Sequence, residues 1–146
     1  MMNQSECLIS IEFEFFPLRN KNMSVSAELN DEIDVIEAEN HFTTTTKTYT
    51  KKITLPQKIK LKFNGKNNKI DTIVNKDGEI IADKHVKIKS IKLDVFECSE
   101  IFLKQKLNLI TNDKKSLQTN YIGFDGTMEI DLLEDSVFKQ FTTMNS

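Results

Sequence analysis

Lys58-Ile59-Lys60-Leu61-Lys62-Phe63 and, further on, Val86-Lys87-Ile88-Lys89 decide the fold class of this 146-residue chain. In both stretches a basic residue alternates with an apolar one, and a period of two sends the two types to opposite faces of an extended strand. These segments therefore predict strands buried on one side and wet on the other. The pattern continues toward the N-terminus. Over residues 8–16, Ile9, Ile11, Phe13 and Phe15 face one way and Glu12 and Glu14 the other, and Pro17, which cannot donate to a ladder, ends the run. Residues 23–29 repeat it with Val25, Ala27 and Leu29 before a turn at Asn30-Asp31.

The rest of the chain reads the same way. Residues 33–38 form a short strand or one helical turn. Residues 41–55 are rich in threonine, which suits an edge strand or one wet on both faces, and their lysines oppose edge-to-edge aggregation. Residues 57–63 end at Asn64-Gly65, and a polar loop follows over 66–69. Residues 70–74 and 79–82 flank Asn75-Lys76-Asp77-Gly78, which predicts a tight hairpin with Gly78 at positive φ. In 85–95 the apolar phase slips by one, from Val86 and Ile88 to Ile91 and Leu93, which predicts a β-bulge near Lys89-Ser90. Residues 101–110 read as a strand with Leu103, Leu107 and Leu109 inward. Residues 120–124 and 127–132 read as strands joined by Asp125-Gly126, and 134–141 as a last strand or a short helix. Turn signals about every ten residues, with no longer internal repeat, indicate an all-β chain: a single antiparallel β-sandwich domain over 1–146, jelly-roll-like, with eight to ten strands.

Composition narrows the functional classes. Hydrophobic residues make up 38% and charged residues 29%, which suits a folded domain; ten Phe and no Trp place the aromatic load in the core. Cys7 and Cys98 match no zinc or redox spacing and read as buried small hydrophobes, with one disulfide as the alternative. The N-terminal residues show no secretion signal and no apolar run approaches a membrane span, so synthesis in a cytoplasm and no membrane partner are expected. The net charge of −2 hides a segregation: residues 1–40 hold nine acids, and 41–69 hold eight lysines and no acid. Either the two sets lie on neighbouring strands and pair, or they make opposite poles of the molecule.

No catalytic motif stands out. His41 and His85 have no nucleophile signature beside them, and the four glycines never form a phosphate-cradling loop. Glu12 with Glu14, and Glu129 with Asp131, alternate with apolar residues and so point outward as solvated strand faces. The lysine stripe lacks arginine and has few aromatics, in a chain of pI about 5.7, so nucleic acid is not an expected partner. Asn75, Asp77 and Glu79 resemble a fragment of a calcium loop, but the bidentate glutamate is missing and a hairpin turn accounts for them. An oxygen-only calcium site from Asn64, Asp71, Asp77 and Asp83, with Asp125 as a further contributor, requires those loops to converge.

Two resemblances go further. Lys58 to Gly65, a polar loop, and then Asp83 to Asp94 resemble the central strands of calcium-dependent xylan-binding-type carbohydrate-binding modules, with Asn64 and Asp83 at the matching ends and His85 where those modules carry Asn. That likeness implies a β-sandwich, a calcium ion and a glycan partner. The same strands, with Asn120 to Gly126 and Val137 to Phe141, are similar to small virion proteins of tailed bacteriophages. This implies a non-catalytic structural protein of a virion, decorating a capsid or belonging to a tail or fibre. It would bind other virion proteins or its own copies, and Thr44, Thr46, Tyr49, Lys52, Val137, Phe138 and Phe141 are the expected contacts. The virion role is the leading expectation, the calcium-dependent glycan module its rival.

Overall fold

Twelve residues, Ser5–Phe16, form β1, the longest strand and the axis of the first sheet. The computed structural model describes residues 5–18, 22–38, 43–55, 57–67 and 71–132. On one side β1 pairs antiparallel with the threonine-rich β4 (Thr45–Leu55), which is a sheet edge as its composition predicts. On the other it pairs with β8 (His85–Leu93), whose far edge takes β9 (Phe96–Cys98) and β12 (Tyr121–Ile122). The second sheet runs β3 (Glu32–Ile36), β2 (Ser24–Leu29), β5 (Gln57–Asn64), β13 (Gly126–Leu132), β10 (Asn108–Thr111) and β11 (Ser116–Gln118). A separate hairpin, β6 (Thr72–Val74) with β7 (Ile80–Asp83), lies between β5 and β8 in the chain.

The two sheets form a sandwich around the residues that the period-two pattern selects. Ile9, Ile11, Phe13 and Phe15 of β1 and Val86, Ile88, Ile91 and Leu93 of β8 are buried from the first sheet. Val25, Ala27, Leu29, Ile59, Leu61, Phe63, Met128, Ile130 and Leu132 are buried from the second. Burying each of the large ones contributes about 1.5–3 kcal/mol. The slip in β8 is resolved by the expected bulge: Glu12 faces Ser90 and Phe13 faces Ile88, which leaves Lys89 without a partner. One unpaired residue lets Ile88 and Ile91 both point inward. The hairpin turn is also as read, with Gly78 at φ 81 and the Asn75 side-chain oxygen accepting from the amides of Asp77 and Glu79 at 3.0 Å.

Two expectations need correction. Residues 101–110 are not one strand: Glu100–Lys106 form a helix, α1, and the strand begins only at Asn108. Ser99 caps it by accepting from the Phe102 amide, Glu100 lies in its first turn and Lys104 and Lys106 in its last, which suits the helix dipole. The buried pair is Leu103 and Leu107, four apart, while Ile101 is exposed. The strands expected over 120–124 and 127–132 are present as Tyr121–Ile122 and Gly126–Leu132, and they lie in different sheets, β12 in the first and β13 in the second. Asp125-Gly126 is the crossing between sheets. A Cβ at Gly126 would lie 2.5 Å from the Ile110 carbonyl oxygen, so only glycine lets β13 begin against β10. The strand tally also exceeds eight to ten: among the described residues there are thirteen, β9 and β11 being short pieces with little alternation.

The charge segregation is resolved in favour of neighbours. β2 lies beside β5 with Glu28 opposite Lys60, and Lys52 reaches Glu6 at 3.6 Å across β4 and β1. Such exposed pairs contribute about 0–1 kcal/mol each. Cys7 and Cys98 are free and buried; burial pushes both thiols up, Cys98 to about 11. Residues 134–141, including Val137, Phe138 and Phe141, lie outside the described residues, as does His41.

Candidate functional site

β5 ends at Asn64, and Gly65 at φ 100 turns the chain so that Lys66 points back into the molecule. The β6–β7 hairpin returns the chain at Asp83-Lys84, where β8 begins, and the crossing after β12 brings Gly123 to the same place. There the Lys66 ammonium donates to Asp83 Oδ1 at 2.5 Å, to the Lys84 carbonyl at 2.6 Å and to the Gly123 carbonyl at 2.9 Å. Its side chain is 1% exposed. The Asp83 carboxylate accepts two further bonds, from Thr72 Oγ1 at 2.6 Å and from the Tyr121 hydroxyl at 2.5 Å. The backbone N–H of Lys66 donates to Asp125 Oδ1 at 2.9 Å.

A second buried pair lies alongside. Lys84 Nζ is 3.1 Å from Asp71 Oδ2 and donates to the Gly65 carbonyl at 3.3 Å, and the same Asp71 oxygen accepts from the Asn67 amide at 2.7 Å. Each lysine thus reaches backbone beside the other: Lys66 bonds the carbonyl of Lys84, and Lys84 that of Gly65. The reciprocal arrangement ties the end of β5 to the start of β8. A charge removed from water is costly unless it is paired and hydrogen-bonded, and here both ammonium groups are.

The surrounding groups are tuned by this cage. Burial alone would raise the Asp83 carboxyl, but the bonds from Lys66, Thr72 and Tyr121 outweigh it and hold the group below its usual range. Burial, and then the Asp83 carboxylate that it faces, push the Tyr121 phenol well up. His85 donates from Nδ1 to the Asp83 carbonyl at 2.9 Å. Its ring is stacked between Phe16, 4.2 Å away, and Tyr121, 3.9 Å away. Burial lowers its pKa, with Lys66 and Lys87 adding to the effect and Asp83 opposing it.

Tyr121 forms the floor of an open cleft of about 630 Å³ with Ile80, Gln118, Thr119 and Phe124, and Asp83 and Thr72 at its base. One Tyr121 face is covered by His85, yet the residue remains 38% exposed. Phe124, 44% exposed, and Leu117 separate this cleft from a neighbouring one that contains Lys66, Asn67, Asp113 and Asp125. Gly123 lines the first cleft closely: a Cβ there would meet Asp83 Oδ2 at 3.0 Å and Tyr121 Cε1 at 3.1 Å, so those side chains would have to shift by a few tenths of an ångström.

Of the four oxygen donors expected to hold calcium, the fold brings Asp71 and Asp83 close, across the hairpin, and leaves the others apart. Asn64 is exposed at the end of β5, and Asp77 is exposed at the tip of the β6–β7 turn. Calcium takes six to eight oxygens at 2.3–2.6 Å. Here each carboxylate holds a lysine ammonium, and among the described residues no three acidic, histidine or cysteine side chains converge to hold a metal. The donor set therefore does not fit the ion. The expected contact residues divide as well: Thr44, Thr46 and Lys52 are exposed, but Tyr49 is buried, its hydroxyl donating to Asp34 Oδ2 at 2.9 Å. Sequence reasoning passed over Lys66, Lys84 and Tyr121. Lys84 carried a signal, since it shares the phase of the buried Val86 and Ile88 and not that of Lys87 and Lys89, whereas Lys66 keeps the phase of Lys58, Lys60 and Lys62 and carried none.

The fold defines a class at the level of architecture only, a two-sheet antiparallel β-sandwich. A solved structure of vCBM60, described in connection with two circularly permuted families of calcium-dependent carbohydrate-binding modules, matches 87% of this chain and 91% of its own, with a TM-score of 0.52 and 13% sequence identity. At that identity the likeness establishes the fold. No protein family matches the chain, and no curated protein does.

Proposed function

We propose that this chain is a non-catalytic glycan-binding module that takes its ligand in the cleft floored by Tyr121. The observation that carries this reading is the stack Phe16, His85, Tyr121, with the last ring reaching solvent among hydrogen-bonding side chains. A pyranose presents an apolar face of C–H groups to an aromatic ring and hydroxyls at its rim, and such ligands bury against preformed surfaces with a few placed polar groups. Tyr121 is held in place by its bond to Asp83, so little ordering entropy is lost on binding. Phe124, Gln118 and Thr119 complete the wall, with apolar and hydrogen-bonding atoms side by side. The likeness in fold to vCBM60 supports the same reading.

Affinity electrophoresis against soluble polysaccharides, followed by a glycan array, tests it. Retention is expected for the unaltered chain, and a loss of tenfold or more, on the order of 1.4 kcal/mol, for Tyr121→Ala with its β-sheet spectrum intact. Retention by no glycan, or undiminished retention by Tyr121→Ala, overturns the reading. A second reading, a virion component assembling through its sheet edges, is favoured by Ile33 and Val35, both more than 60% exposed on the edge strand β3. Sedimentation of the chain as a concentration-dependent oligomer, lost on Val35→Lys, is the outcome that reading expects.

A further inference from the structure

We infer that Lys66 is a built-in cation: its ammonium fills an oxygen cage that would otherwise take a divalent ion, and its removal converts the chain into a calcium-binding protein. The inference concerns the cage alone and is independent of the glycan reading. Three oxygens of two kinds, the Asp83 carboxylate and the carbonyls of Lys84 and Gly123, surround Nζ at 2.5, 2.6 and 2.9 Å. Backbone carbonyls and a carboxylate are also the donor types that hard cations select. They come from three separate segments, yet all point at one atom. The carboxylate balances the charge, and the three oxygens together match the three N–H donors of the ammonium, so the cage is filled with the lysine in place.

The same geometry excludes calcium from the unaltered chain. To enter, the ion would have to expel an ammonium whose side chain is 1% exposed. Both cannot stay, because like charges a few ångströms apart in a site of reduced dielectric repel strongly. Lys84 reinforces the exclusion by occupying Asp71, the other carboxylate within reach. The buried Asp71 Oδ1 has no hydrogen-bond partner among the described residues, so it remains an oxygen that a cation, once admitted, can recruit. Truncating Lys66 to alanine leaves one carboxylate, two carbonyls and the space of three carbons and an ammonium, room for an ion with a few waters. With so few protein ligands the site falls in the weak, roughly millimolar range of calcium modules.

Thermal melting with calcium and with chelator tests this. The unaltered chain is expected to melt at the same temperature in both. Lys66→Ala is expected to melt lower in chelator and to gain about 4 °C in roughly 10 mM calcium, as mass action on a millimolar site requires. If that variant does not fold in chelator, refolding from urea only when calcium is present is the equivalent result. Adding Asp83→Asn to Lys66→Ala removes the carboxylate and should abolish the calcium response. Calcium stabilisation of the unaltered chain, failure of calcium to raise or rescue Lys66→Ala, or an undiminished response in the double variant each overturns the assignment.

Discussion

His85 shows how one side chain joins packing, charge and pH. Its ring lies between Phe16 and Tyr121, and burial keeps its pKa below the ordinary 6.5. In the unfolded chain the imidazole regains that value and binds a proton that the folded state resists, so stability rises with pH between the two pKa values. The sign is then definite: acidification through pH 6.5 destabilises the fold, and the loss is complete below the folded pKa. Asp83 acts in a lower window and in the same direction, since its depressed carboxyl contributes above 3.8 and loses that contribution as pH falls through the folded value. Urea midpoints measured from pH 8 to pH 3 should decline in these two stages. His85→Phe, which keeps a ring in the stack, should flatten the first stage and leave the second. A midpoint that is constant from pH 7 to pH 5 contradicts the assignment. Neither window could be assigned from sequence, because nothing near His85 in the chain indicates that Tyr121 covers it.

At the scale of elements, the strands were legible wherever one face is dry and the other wet. β1, β2, β5 and β8 follow their alternation to within a few residues, and the one-residue slip at Lys89 correctly located the bulge. Legibility failed at residues 101–110. Leu103, Leu107 and Leu109 satisfy both a period of four and, at their end, a period of two, and the Ser99 cap decides between them. Leu103→Ala removes a fully buried side chain from α1 and is expected to cost about 2–5 kcal/mol; a loss under about 1 kcal/mol in a denaturant titration would show that the helix is not docked. Gly126→Ala should cost at least about 1–3 kcal/mol by overpacking, because the added methyl meets Ile110 and Thr111 backbone at 2.5 and 2.9 Å. The matching change at Gly78, where nothing lies within 4 Å, strains only the turn and should cost less.

At the scale of the whole molecule, the two sheets meet at an edge closed by polar contacts. Lys51 points inward from β4 and reaches Glu32 at 2.6 Å and Asp34 at 3.3 Å on β3, an edge strand of the opposite sheet, and Tyr49 donates to the same Asp34. Burial, and then the Asp34 carboxylate, push the Tyr49 phenol to about 12. An inward lysine such as Lys51 also discourages a further strand from adding at the β4 edge. Tyr49→Phe should cost about 0.5–1.5 kcal/mol. It should also speed hydrogen exchange in β3 and β4 while β1 and β5 amides keep their protection; uniform acceleration would mean that this contact is not a local clasp. Alternation reports which face of a strand is buried, because burial of side chains on a pleated strand is a local property with a period of two. The all-β class, the central strands, the bulge and the Asn75–Gly78 turn therefore followed from the order of residues. Partners across the sandwich depend on contacts distant along the chain, and no local period encodes them. That is why the pairing of Lys66 with Asp83, the separation of β12 from β13 and the ring stack beneath the cleft emerged only when the two sheets were brought face to face.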